Sequence, residues 1–169
     1  MAESPGGVIG AGGRIPAFTL PLQGGGEATV PVRGSKGLTL AVFYKNTCPT
    51  CRLSFPFLQR LYEQVGPAGG RVLGISQDGM EGAASFAREF GLTMPILVDG
   101  EDWPVSRLYD LVSVPTLYLT DGDGLVLASG AGFNRRELQT MADALAASVG
   151  AAAPLLYREG ESIPDFKPG

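Results

Sequence analysis

Residues 38–57 read LTLAVFYKNTCPTCRLSFPF, and this stretch decides the fold. LTLAVFY is apolar, β-branched and aromatic, and it follows a break at GSKG, so it predicts a strand over 38–44. A helix is predicted from Pro49, because Leu53, Phe57, Leu58, Leu61 and Val65 recur at three-to-four spacing. Pro49 suits the first helical turn, where its missing N–H costs nothing. Pro56 falls deeper and is expected to kink the helix. Between strand and helix stand the only two cysteines of the chain, Cys48 and Cys51.

Upstream, AFTLPLQGGGEATVPV reads as two extended segments about a glycine turn, a β-hairpin. Downstream, RVLGIS (71–76) predicts a second buried strand, and MEGAASFAREFG a helix closed by Gly91. MPILVD predicts a short strand and EDWPVSRLYDL a short helix, then PTLYLT and LVLASG flank the hairpin signal DGDG. NRRELQTMADALAASV predicts a last amphipathic helix, with Asn134 as N-cap and Glu137 three residues on. Alternating strands and helices predict an α/β layer fold with a central mixed sheet flanked by helices. The early strands should run parallel, and the late hairpin should add an antiparallel edge. The expected organisation is a flexible Gly-rich start (1–13), one domain (14–149), and a linker with a C-terminal tail (150–169). GRIPAFTLP near the start is echoed by ESIPDFKPG at the end. Two readings stand: a chance likeness of Pro-rich loops, or a tail that packs on a surface like the one the first segment uses, for instance on a partner chain.

The 169 residues suit one domain, and the net charge of -4 comes with no block of lysine and arginine, so nucleic acid is not an expected partner. The chain has no histidine. That excludes a Cys-His pair, a Ser-His-Asp triad, a histidine-ligated haem and a His-containing zinc site. No apolar run approaches the roughly 20 residues of a membrane span. MAESPGGVIGAGG lacks the basic and apolar regions of a signal peptide, so we expect a cytoplasmic protein with no membrane partner. Two cysteines are too few for a secreted disulfide framework.

Two thiols and no histidine make a poor structural zinc site, which needs four ligands, so no metal and no cofactor is expected. Burial as small hydrophobes is the other plain role for cysteine. The setting argues for chemistry. Cys48 follows a strand and directly precedes a helix, where free N–H groups and the helix dipole favour an anion and so a reactive thiolate. Cys51 lies one turn on, within disulfide reach and less exposed. Cys48 would attack a substrate disulfide, and Cys51 would then attack the mixed disulfide and release reduced substrate. SVPTLYL places Pro115 at the start of an apolar strand. It is either a strand-initiating proline or a cis-proline loop beside the cysteines, where the backbone of Val114 could pair with an extended substrate.

LTLAVFYKNTCPTCRLSFPFLQRLYEQ, RVLGISQD, SFAREFGLTMPILVD and YDLVSVPTLYLTDGDG together resemble the thioredoxin superfamily. More narrowly they resemble the branch shared by TlpA-type thiol–disulfide oxidoreductases and the AhpC/TSA (redoxin) group, whose N-terminal hairpin GRIPAFTLPLQGGGEATVPV resembles. The resemblance covers about residues 10–149 and implies Cys48 as nucleophile, Cys51 as resolving thiol and Pro115 as the cis-proline. Val114, Pro115, Pro49 and Thr50 are then the expected substrate-binding residues. The partners implied are a protein or small-molecule disulfide and a thiol reductant.

Three positions depart from the branch. Thr47 stands where an aromatic commonly precedes the first cysteine, Val42 where thioredoxin carries a buried acid, and Ser54 where the pattern C-R-x-E-x-P has glutamate, although Arg52 and Pro56 match. Cys51 would then lose its proton to water, to a carboxylate of DGEDW, or to neither. An alternative reading is a peroxiredoxin-like, antioxidant thiol peroxidase, suggested by TCPT. Its site pattern P-x-x-x-T-x-x-C would place Ala41 and Lys45 at the proline and threonine. A second alternative is a binding module that keeps the fold and uses its thiols little. Trp103, the sole tryptophan, is expected to pack, with a place near the site as the other option.

Overall fold

The apolar run around Val42 becomes the middle of a sheet in the computed structural model, which describes residues 7–169. In chain order the elements are β1 (Phe18–Pro21), β2 (Glu27–Val30), β3 (Thr39–Tyr44), α1 (Pro49–Val65), β4 (Arg71–Ser76), α2 (Met80–Phe90), β5 (Ile96–Val98), α3 (Pro104–Leu108), β6 (Thr116–Thr120), β7 (Val126–Ala131), β8 (Phe133–Asn134), α4 (Arg135–Ser148) and β9 (Phe166–Lys167). The main sheet has the order β5-β4-β3-β6-β7. β3 pairs parallel with β4, and β4 with β5. β6 and β7 add the antiparallel half. This is the thioredoxin-like α/β architecture with an N-terminal hairpin, β1–β2.

All six residues of β3 are buried because both faces of the sheet are covered. Alternation along the strand divides the core. Leu40, Val42 and Tyr44 join α1, α2 and α4 through Phe55, Leu58, Phe86 and Leu145. Ala41 and Phe43 face the other way, towards the hairpin, α3 and the aromatic set Phe18, Tyr109 and Tyr118. Gly74 in β4 keeps the layers close: a Cβ there would lie 2.7 Å from Ile96 Cδ1 and 3.1 Å from Tyr44 Cε1.

The helix ends follow the local sequence. Asn134 Oδ1 accepts the N–H of Glu137 at 3.0 Å and caps α4. Gly91 closes α2 with φ 61°, a conformation that favours glycine. Pro56 lies inside α1, which runs on to Val65.

Of the start expected to be flexible, residues 1–6 fall outside the described residues. Residues 7–13 are tied to β7 and its neighbours. Gly12 N–H donates to Val126 O at 2.9 Å, Ser129 Oγ donates to Ile9 O at 2.7 Å, and Ile9 N–H donates to Tyr118 Oη at 3.3 Å. The tail packs on the α1–α4 side. Leu156 is fully buried in that core, and Tyr157 stacks edge-on against Phe57 with centroids 5.1 Å apart. β9 pairs antiparallel with β8, Phe133 opposite Lys167 and Asn134 opposite Phe166. The two echoed segments therefore sit on opposite faces. Ile15 and Phe18 are buried beneath the hairpin face, whereas Ile163 packs against the α1 face and Phe166 is exposed.

Candidate active site

The loop after β3 delivers Cys48 as the N-cap of α1, with φ -83° and ψ 113°. Its Sγ accepts the N–H of Cys51 at 3.2 Å, so sulfur takes the place that an oxygen cap usually holds. The first turn of α1 carries no acidic side chain to oppose a negative sulfur. Cys48 is half-buried, and its thiol faces the Val114 carbonyl at 3.4 Å. The Val114–Pro115 bond is cis. Both cysteines are free thiols.

Cys51 is fully buried among the core side chains of α1. Burial pushes its thiol well above the ordinary value, and the contact with Cys48 and the Asp78 carboxylate push in the same direction. One half of the pair is therefore open to attack from outside, and the other is a protonated thiol one turn behind it.

The polar groups near the pair come from the ends of β3 and β4. Asp78 Oδ2 accepts the N–H of Asn46 at 2.8 Å, and Asn46 Nδ2 donates to Gly82 O at 2.8 Å. Burial raises the Tyr44 phenol, and the charge of Asp78 adds to the rise. Arg52 pairs with Glu89 and lies over the Phe90 ring at 5.0 Å, which fastens the start of α1 to α2. On the other flank, Gln77, Trp103, Asp110, Val112 and Val114 line an open groove. Lys45 Nζ sits 5.1 Å over the Trp103 ring, and Trp103 Nε1 donates to Gln77 O at 2.7 Å.

The AhpC/TSA family model matches residues 11–129. The chain belongs to the AhpC/TSA family. A thiol-disulfide oxidoreductase ResA of Geobacillus thermodenitrificans is 31% identical over 120 residues, which is 70% of this chain and 67% of that one. A peroxiredoxin Bcp of Xanthomonas campestris pv. campestris is 25% identical over 108 residues, 62% of this chain and 67% of the other. Among solved structures, a thiol:disulfide interchange protein DsbE from Chlorobium tepidum superposes with a TM-score of 0.72. It is 23% identical, and the match covers 85% of this chain and 99% of that one. This AhpC/TSA chain thus has relatives of two kinds, and its own residues must distinguish them.

The structure brings Cys48, Cys51, Val114 and Pro115 together, with Pro115 buried and Pro49 exposed on the outer side of the helix start. Thr50 is buried, and its Oγ1 donates to Pro168 O at 2.6 Å, a contact with the tail that its sequence setting does not foreshadow. Thr47 is exposed and puts no ring over the thiols. Ser54 Oγ donates to Thr50 O one turn back at 2.7 Å, so its hydroxyl is used within the helix. Val42 is fully buried and apolar.

The carboxylates of DGEDW are engaged or exposed. Asp99 accepts Val105 N–H and Ser106 N–H, both at 2.8 Å, and Ser106 Oγ at 2.6 Å, which holds the start of α3. Glu101 and Asp102 are exposed. The acid whose charge reaches Cys51 is Asp78, two residues beyond the end of β4. Sequence reasoning missed it. The signal was there in β4 being the parallel neighbour of β3, which sets the two C-terminal strand ends side by side.

Among the described residues no cluster of metal-ligating side chains occurs, and no helix is long and apolar enough to cross a membrane.

Proposed function

We propose that the protein is a thiol–disulfide oxidoreductase in which Cys48 is the nucleophile and Cys51 the resolving thiol. The observation that carries this reading is the second thiol, buried one helical turn behind the first, with its own N–H on Cys48 Sγ. The Cys48 thiolate attacks one sulfur of the substrate disulfide and expels the other as a thiolate. Cys51 then attacks Cys48 Sγ and expels the second substrate thiolate. A Cys48–Cys51 disulfide remains, and two electrons have passed to the substrate. The order is built into the electrostatics. While Cys48 carries charge it holds the Cys51 proton on, and once Cys48 is in a mixed disulfide that charge is gone, so Cys51 ionises more readily. A small-molecule or protein thiol then returns the pair to the dithiol.

The peroxidase reading fits the side chains less well. The position expected to hold a hydroxyl beside the peroxide is Lys45, whose ammonium lies over Trp103, and the position expected for proline is Ala41, buried in β3. The test is insulin reduction beside hydroperoxide consumption, both driven by dithiothreitol. Insulin reduction is expected to dominate, with Cys48→Ser inactive and Cys51→Ser accumulating mixed disulfides. Dominant hydroperoxide turnover, or a Cys48→Ser protein as active as wild type, refutes the assignment.

A further inference from the structure

The tail is held in two different ways. Residues 151–161 are held by side chains. Leu156 is fully buried, Tyr157 Oη donates to Arg135 O at 2.7 Å, and Arg60 grips Glu161 with both terminal nitrogens, at 2.8 and 2.6 Å. Beyond Ile163 the attachment passes to the main chain. Phe166 is 57% exposed, and the segment is held by the β8–β9 pairing, by Arg135 N–H on Asp165 O at 2.9 Å, and by Thr50 Oγ1 on Pro168 O at 2.6 Å. Such a segment has few buried apolar contacts and lies at the low end of local stability.

Its path crosses the proposed site. Thr50 lies between the two cysteines. Gly169 sits against the Val114–Pro115 peptide: a Cβ on it would overlap the Val114 carbonyl oxygen and lie 3.4 Å from Pro115 N. That same carbonyl faces the Cys48 thiol. Gly132, at φ 77°, lets the segment approach, since a Cβ there would lie 2.7 Å from Lys167 O and 3.2 Å from Gly169 N. An extended, cysteine-free piece of polypeptide thus lies across one side of the C-P-T-C turn.

We propose that residues 164–169 are a displaceable strap that fills, in cis, the channel where an extended polypeptide bearing the substrate disulfide docks, by adding a strand to β8 and reaching Val114. The inference rests on the disulfide-exchange reading and names its substrate class: unfolded or extended protein disulfides, recognised through main-chain hydrogen bonds. The strap's own contacts show what the channel accepts. They are carbonyl and amide groups, with the Phe166 side chain left in solvent. Small disulfides reach the half-buried Cys48 without displacing it.

The experiment compares the full chain with a variant lacking residues 164–169, which keeps Leu156 and the Arg60–Glu161 pair. If the strap is open about one-tenth of the time, deletion lowers KM for insulin about tenfold, because apparent affinity scales with the open fraction. The expected kcat is unchanged, and so is the rate with a small aryl disulfide. A synthetic peptide of residues 162–169 added to the deleted protein should raise KM again. Gly169→Val, at full length, is expected to act in the direction of the deletion. Equal KM for insulin in all three proteins, or a peptide without effect, overturns the strap. If no form reduces insulin while hydroperoxide is consumed, the disulfide-exchange reading falls, and the strap's substrate with it.

Discussion

Leu156→Ala tests whether the tail belongs to the body of the fold. Leu156 is fully buried against the α1–α4 core. The substitution removes three carbons, which at roughly 0.8 kcal/mol each gives about 2.4 kcal/mol of lost transfer free energy. A cavity that does not collapse raises the total into the range of about 2.7–5 kcal/mol. For a chain of this size each kcal/mol lowers Tm by about 2–4 °C, so a loss of about 3 kcal/mol lowers it by roughly 6–12 °C. The assay is urea unfolding of the reduced protein, followed by calorimetry, with the urea slope m unchanged because the surface exposed on unfolding is nearly the same. The result has a ceiling. If the tail can detach while the sheet stays folded, the loss cannot exceed the free energy that docks the tail. A loss below about 1 kcal/mol at unchanged m refutes the reasoning, because a buried leucine within the cooperative unit costs more than that.

Asp78→Asn removes a charge that holds the Cys51 thiol up, so the pH midpoint for resolving a Cys48 mixed disulfide is expected to fall. Stopped-flow release of an aryl thiol measures it, and a midpoint that stays or rises shows that the field of Asp78 does not govern the step. The Glu161 carboxyl is held at about 2 by its hydrogen bonds to Arg60 and to the Arg158 N–H. A depressed carboxylate stabilises above its unfolded value and loses that contribution as pH falls through the folded one. The Arg60–Glu161 clasp should therefore hold at neutral pH and release between about pH 4.5 and 2. Carbon-detected NMR titration of Glu161 should place its midpoint near 2, and a midpoint near 4.5 would show the clasp is not formed in solution.

The parts that can be read from sequence are those governed by period and punctuation. The β3 run, the 71–76 strand, the Gly91 stop, the Asn134 cap and the DGDG hairpin each depend on residues close together in the chain, and each stands in the structure where its signal puts it. The parallel pairing of the early strands follows from their alternation with helices, and the antiparallel late pair from its turn signal, as the structure has them. The tail was not legible in the same way. β8 and β9 are two residues each, too short to show a period, and they pair through main-chain groups that every residue carries. ESIPDFKPG announced itself only as an echo, and the echo misleads about place, because Ile15 and Ile163 lie on opposite sides of the sheet. At the site, the cysteine pair and the cis bond at Pro115 could be expected from sequence. Asp78 was missed: its nearness to Cys51 shows only when the expected parallel pairing of β3 and β4 is followed to the strand ends, and spacing along the chain gives no sign of it.

Trp103 gives the molecule a property of a different kind. It is the only indole in the chain. Its ring is partly exposed, carries the Lys45 ammonium on one face, and lines the groove that runs to Val114. Indole emission responds to nearby charge and hydration, so anything that enters that groove or shifts Lys45 changes a signal with a single source. The protein thus carries a single optical reporter in the groove that runs to Val114, where binding can be watched without a label.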